Sequence, residues 1–222
     1  MFWWLIKLAL VLIPYVLLCP LFLKPVTNPN SFDMEPSTRT QILVVMGVTA
    51  IILLIVAKIW QYFGSVALIK IQFSPDGLLY GAALAGIIIV ASSIVYRLWP
   101  AYRQSADAYL QLVLKPLVWP DLLWLGLLPG LSEELLFRGV MLPALGYDFF
   151  ALILSSLVFG VLHLSGSQQW PYVVWATIVG FALGYSALMT DNLLVPITAH
   201  IITNWMSSGL WKFNNRNSDV TS

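Results

Sequence analysis

Glu133 and Glu134 stand side by side in an apolar run that also carries Arg138. The chain's two histidines, His163 and His200, lie in two further apolar runs, the second with Asn204 four residues on. Ionisable groups at membrane depth are costly and mark functional sites by default. On a helix, Glu134 and Arg138 are four apart, in the order that favours an ion pair. Glu133 points about 100° further round and has no cation in its own segment, which leaves it free to take a proton. His200 and Asn204, at i and i+4, project from one face. Each fragment alone has a plain structural reading: an interhelical ion pair, a packed histidine, polar glue between helices. Together they form the set that water-mediated amide hydrolysis requires. That set is a carboxylate base, imidazoles to hold water or a metal, and an amide or imidazole donor for the oxyanion.

Other chemistries fit less well. No Ser/His/Asp pattern is present, Ser132 and Ser155-Ser156 have no dedicated base, and the one cysteine, Cys19, excludes an internal disulfide framework or a cysteine metal cluster. The soluble zincin signature His-Glu-x-x-His is also missing. A metal would have to be assembled from different helices, with Glu133, His163 and His200 as ligands, Glu134 as an alternative carboxylate and Asn204 beside them. Only two nitrogen ligands are available, so zinc or another divalent ion and a metal-free site are equally open.

The elements that must position these groups are membrane helices. Of 222 residues, 59% are hydrophobic and 9% charged, and the net charge is +1, which leaves no footprint for nucleic acid. Apolar stretches of roughly 18 to 25 residues match the length that crosses a bilayer, and without strand-like alternation the spans should be helices. The expected architecture is all-α, a polytopic transmembrane bundle of about seven spans plus one interfacial helix. The spans fall near residues 3–23, 41–63, 78–98, 121–142, 149–164, 171–189 and 193–211, and the amphipathic interfacial segment covers 99–117. The first run is too long for a signal h-region and reads as a retained span. Three parts follow: spans and interfacial helix in 1–114, a core in 115–212 and a polar tail in 213–222.

Within the core, loops of a few residues make the last four helices antiparallel neighbours. Pro129-Gly130 interrupts the first of them just before the acidic pair, a break tolerated beside an internal cavity. Gly180, Ala182, Gly184, Ser186 and Ala187 give the sixth span a small-residue face for close packing. Trp60, Trp119 and Trp170 fall near span ends, as interfacial anchors do. Lys7, Lys58 and Lys70 fall on one side of the membrane, against Lys24, Arg39, Arg97, Arg103, Lys115, Lys212 and Arg216 on the other, which favours a cytoplasmic C-terminus.

Glu-Glu-x-x-x-Arg at 133–138, Phe-x-x-x-His at 159–163 and His-x-x-x-Asn at 200–204 resemble, in order and spacing, the motifs of the CAAX protease and bacteriocin-processing family, also called the Abi or type II CAAX prenyl endopeptidase family. The likeness covers about residues 115–212. It implies an intramembrane glutamic or metal-dependent endopeptidase. In that reading Glu133 activates water, Glu134 paired with Arg138 orients it, His163 holds the water or a metal, and His200 with Asn204 supports the oxyanion. The substrate would be a peptide or protein, membrane-anchored in some members, and the enzyme would sit in a cell, organelle or thylakoid membrane. Two other classes compete: a catalytically silent immunity or scaffold protein that binds a peptide, and a proton-coupled transporter. The lack of an internal repeat counts against the transporter.

Overall fold

The computed structural model describes residues 38–164 and 166–215. The expected first span, Cys19 and the end of the polar tail lie outside the described residues. Among those described, every regular element is helical. Helix α1, Arg39–Gly64, begins in a reciprocal capping box between Thr38 and Gln41 and ends at Ser65, which has a left-handed φ of 49°. Helix α2, Pro75–Leu98, starts with Ser74 accepting from the Gly77 amide and Pro75 in the first turn. After Trp99, Pro100 opens α3, Pro100–Leu114. Helix α4, Asp121–Glu134, runs on through a wider π-helical stretch, Leu135–Met141, and one last turn, Leu142–Ala144. Helix α5 is Phe149–Val161, capped by Asp148. A short 3-10 turn, Ser167–Gln169, leads into α6, Trp170–Thr190, and α7 is Leu194–Asn215.

Three of these helices, α1, α2 and α6, are long and apolar enough to cross a membrane, and α5 is apolar but shorter. Their outward faces are apolar: Val44, Ile51 and Ile55 on α1, and Leu79, Ile87 and Val90 on α2, are all exposed. A water-facing surface would not carry such a contiguous apolar face, whereas lipid favours it. The interior is built by α2 along α7, α5 along α6 and α4 along α7, with α1 closing against α4. The expected pairing of neighbours in the core is therefore present.

Three local features depart from the sequence expectations. Helix α5 stops at Val161 rather than near 164, which puts His163 on the turn after it. Trp60 is a core residue, 4% exposed and packed with Leu53, Val56 and Phe137, not an interfacial anchor. The segment 99–117 is less free than an interfacial helix: Tyr102, Ser105, Ala106 and Leu114 of α3 are buried, the first three against the bundle's interior side. Its outward residues Arg103 and Gln104 remain exposed.

Two polar clamps fix the ends of the core. Arg39 makes a two-pronged pair with Asp121, both bonds 2.8 Å, and Asp121 also accepts from the Val118 amide, so the starts of α1 and α4 are tied together. At the other end Asn192 accepts from the amides of Gln72 and Leu194 and donates to the Gln72 carbonyl. These bonds dock the α1–α2 connection on the α6–α7 turn and satisfy backbone that would otherwise be orphaned.

Candidate active site

The π-helical stretch is the local feature that organises the site. In a π turn the backbone bond runs from residue i+5 to i, seen here as the Leu142 amide donating to the Phe137 carbonyl. Two carbonyls of this stretch also take outside donors: Ser155 on α5 gives Phe137 a second hydrogen bond, and the Ile69 amide donates to Gly139, whose i+4 residue, Pro143, has no N–H. Glu133 and Glu134 sit at the junction where the α geometry gives way, and their side chains go to different surroundings.

Glu134 is fully buried and faces inward. Its Oε1 accepts from Arg138 Nη1 at 2.8 Å and meets His200 Nδ1 at 2.7 Å. Arg138, 1% exposed, sends Nη2 to the Gly180 carbonyl at 2.8 Å and lies over the Phe159 ring, 4.4 Å from its centroid. The expected Glu134–Arg138 pair is thus present, but as part of a three-helix junction with His200 of α7 and Gly180 of α6. A buried ion pair stays favourable only with such extra hydrogen bonds. Gly180 is required here: a Cβ would lie 2.9 Å from Phe159 Cδ1 and 3.3 Å from Arg138 Nη2.

Glu133 is partly exposed and lines a cavity of about 1620 Å³ together with His163, His200, Asn204, Tyr109 and Tyr172. Its Oε2 is buried without a hydrogen-bond partner, as is the Oε2 of Glu134, but no ion pair holds its other oxygen as Arg138 and His200 hold the Oε1 of Glu134. His163 Nδ1 lies 2.8 Å from the Phe159 carbonyl, an acceptor, so that nitrogen carries the proton and Nε2 is left open. Two adjacent carboxylates therefore differ: Glu134 is locked in a charge-balanced junction and Glu133 is uncommitted at the cavity wall.

Asn204 has a different immediate partner from the one expected. Pro129 has no N–H, so the Leu125 carbonyl four residues earlier loses its helical donor. Asn204 Nδ2 reaches that carbonyl at 3.4 Å, a long bond that also ties α7 to the break in α4. Phe159, which the motif contains but to which the sequence assigns no role, is central to the arrangement. It stands under Arg138, with ring centroids 4.7 Å from His163 and 6.1 Å from His200 and an edge-on contact with Phe137 at 5.3 Å. Its position four before His163 was the available signal, since that spacing stacks two rings on one helix face.

The ligand set considered for a metal does not converge. Among the described residues no three His, Cys, Asp or Glu side chains come together in a way that could hold a metal ion. His200 already engages Glu134 through Nδ1.

Comparison with known proteins places this core. Residues 115–206 match the model of the type II CAAX prenyl endopeptidase Rce1-like family. The chain is 32% identical over 123 residues to the uncharacterized protein YpbD of Bacillus subtilis (strain 168), covering 55% of this chain and 62% of that one. It is 28% identical over 132 residues to "Putative membrane peptidase YdiL" of the same organism, covering 55% of this chain and 52% of that one. The chain thus spans a little over half the length of these relatives. No solved structure matches it significantly. The matched segment holds all seven residues of the three motifs and the whole polar junction. The core of this membrane protein is thus similar, over residues 115–206, to the type II CAAX prenyl endopeptidase Rce1-like family.

Proposed function

We propose that the chain is a multi-pass membrane-embedded endopeptidase that hydrolyses a peptide bond with water activated by Glu133. The observation that carries this reading is the division of labour between the two carboxylates. Glu133 lines the cavity, as His163 does, with its Oε2 unpartnered, while the Oε1 of Glu134 is held by Arg138 and His200. An uncommitted carboxylate near an imidazole is what general-base catalysis needs.

In this reading His163 Nε2 accepts a hydrogen bond from the water and orients it, and Glu133 takes the water's other proton. The water oxygen adds to the carbonyl carbon, and the carbonyl becomes a tetrahedral oxyanion. As the C–N bond breaks, Glu133 returns its proton to the leaving nitrogen, giving an amine and a new carboxylic acid terminus. The junction of Glu134, Arg138, Gly180 and His200 keeps α4, α6 and α7 in register around that water. The cavity lining includes Arg97, Lys115 and Lys212 as well as Asp107, and the excess of cations fits a cavity that opens to the cytoplasmic side of a membrane. The substrate is a peptide or protein that enters from there, alongside or anchored in the lipid.

The test compares peptide termini, by mass spectrometry of membrane fractions, between cells making the wild type and cells making Glu133→Gln at equal abundance. New termini that depend on Glu133 support hydrolysis and give the substrate and cleavage position together. Equal termini, with both proteins folded, would instead favour a peptide-sequestering immunity role. Chelation addresses the metal: turnover that survives excess EDTA fits the carboxylate reading. Loss restored by zinc would make His163 and His200 ligands.

A further inference from the structure

One face of α7 carries most of that helix's polar groups. His200, Asn204, Ser207, Ser208 and Lys212 stand at i, i+4, i+7, i+8 and i+12, the repeat of a single helix stripe, and all five line the cavity with Glu133. The other faces of α7 pack into the bundle: Ile201 meets Gly130, Trp205 meets Gly126 and Thr198 meets Gly81. The stripe is only partly used within the protein. Ser208 donates to the Asn204 carbonyl at 2.6 Å, and Asn204 gives one of its two amide N–H groups to Leu125. The Ser207 hydroxyl and the Lys212 ammonium make no hydrogen bond among the described residues.

A second cation stands at the end of the stripe. Leu114 and Leu117, on either side of Lys115, pack in one cluster with Trp211, which brings the end of α3 to the end of α7. Lys115 and Lys212 both line the cavity, and neither has a carboxylate within ion-pair distance among the described residues. The carboxylates on that side are engaged elsewhere. Both oxygens of Asp121 hold Arg39, and Asp107 accepts from the Tyr96 hydroxyl at 2.8 and 3.0 Å. Two like charges kept at one end of a cavity without a counter-ion favour an anionic ligand there. From His200 to Lys212 the helix rises about 18 Å, a distance that an extended peptide covers in about five residues. At about 1620 Å³ the cavity exceeds the roughly 300–1,000 Å³ of a small-molecule pocket, so its size suits a peptide segment.

We propose that Lys212, together with Lys115, binds a carboxylate of the substrate about five residues along the peptide from the scissile bond, with Ser207 hydrogen-bonded to the main chain in between. The inference rests on the hydrolase reading. It makes α7 a ruler that selects substrates by a negative charge at a set distance from the cut. An Asp or Glu side chain and a terminal carboxylate present the same group to the two ammonium ions. The stripe also accounts for the composition of α7, which at 22 residues is less apolar than the three long apolar helices α1, α2 and α6.

The experiment uses the full chain in membranes, with a synthetic peptide spanning the first Glu133-dependent cleavage site as probe. Three forms are compared: the native peptide, one amidated at its C-terminus, and one with the acidic side chains near the expected position changed to Asn or Gln. The expected result is that one of the two neutralised forms has a KM about fivefold higher with kcat within about twofold, the size of one solvent-screened ion pair. Which form it is identifies the source of the carboxylate. Lys212→Gln should raise the KM of the native peptide by the same factor and leave that of the neutralised form unchanged, as partners do in a double-mutant cycle. Added salt should lift the native KM toward the neutralised one. Equal KM for all three peptides overturns the proposal and needs no variant to fold. An equal effect of Lys212→Gln on native and neutralised peptides also overturns it, because Lys212 then acts on something other than the carboxylate. If Glu133→Gln leaves cleavage intact, the hydrolase reading itself falls. If Glu133→Gln is inactive and Lys212→Gln matches the wild type on every peptide, only the present inference falls.

Discussion

His200 Nδ1 and Glu134 Oε1, 66 positions apart in the chain, lie 2.7 Å from each other in the buried centre of the bundle. The contact joins α7 to α4 through the carboxylate that also holds Arg138, so the second histidine serves first as a member of a charge-balanced junction. Its Nδ1 is taken up by Glu134, which leaves Nε2 as the ring nitrogen available to a substrate in the proposed reading.

Removing one partner of such a junction strands the others. Arg138→Ala leaves Glu134 with His200 as its one remaining hydrogen-bond partner, and loss of one side of a buried pair typically costs about 3–5 kcal/mol. The expected outcome is low abundance and a large drop in melting temperature in detergent. His200→Gln, which preserves a donor toward Glu134, should fold better than His200→Ala. Equal stability of the two would show that the 2.7 Å contact contributes nothing.

The bundle and the Glu134–Arg138 pair were legible in the sequence, because both follow from local rules. Apolar length gave the helices, and the i, i+4 spacing of Glu134 and Arg138 gave their pair. What was not legible required distant elements to meet. Nothing in the sequence around His200 says that Glu134 is its neighbour, nor that the Gly180 carbonyl receives Arg138. Helix α3 reads as merely amphipathic because its partners, Tyr172 and Trp175, lie more than 60 positions further on. The π stretch after Glu134 has no side-chain signature at all. It is a backbone adjustment that the contacts of Ser155 and Ile69 with its carbonyls help to hold.

Pro129 and Asn204 should be coupled. In the wild type the Asn204 amide serves the carbonyl that Pro129 leaves without a donor, so Asn204→Ala should cost roughly 1 kcal/mol, the usual net worth of a buried hydrogen bond. In a Pro129→Ala background the new backbone N–H takes that carbonyl, and the cost of Asn204→Ala should shrink. A double-mutant cycle on unfolding free energies reads the difference. Additive costs would mean that Asn204 acts on something other than Leu125.

Gly180→Ala tests whether the floor of the site tolerates a methyl group. The added Cβ would press on Phe159, and through it on His163 and Arg138. Overpacking of this kind costs about 1–3 kcal/mol. Turnover should fall more than stability alone explains, because Phe159 spaces both histidines. Thermal unfolding and cleavage of the probe peptide, measured side by side, separate the two effects.

Tyr109 makes a prediction about pH. Burial first, and the charge of Glu133 second, push its phenol up to about 12. Below that value it stays protonated in the folded chain. The sign for folding is opposite to that of a carboxylate with a lowered pKa. Above about 10 the unfolded chain releases this proton while the folded chain keeps it, so stability falls as pH rises. Tyr109→Phe should lose that part of the alkaline sensitivity.

Glu133→Gln should separate activity from stability in the other direction. The Glu133 carboxylate has a buried oxygen without a partner, and an unpaired buried polar group costs about 1–3 kcal/mol. A neutral amide of the same shape lowers that cost, since it carries no charge out of water. The variant should lose at least about 10²-fold in turnover, the contribution of a general base, while its melting temperature stays level or rises. Arg138→Ala, by contrast, should lose both. A fall in the stability of Glu133→Gln comparable to that of Arg138→Ala would mean that Glu133 belongs to the structural junction, and that its position at the cavity wall is a by-product of packing rather than a site kept open for water.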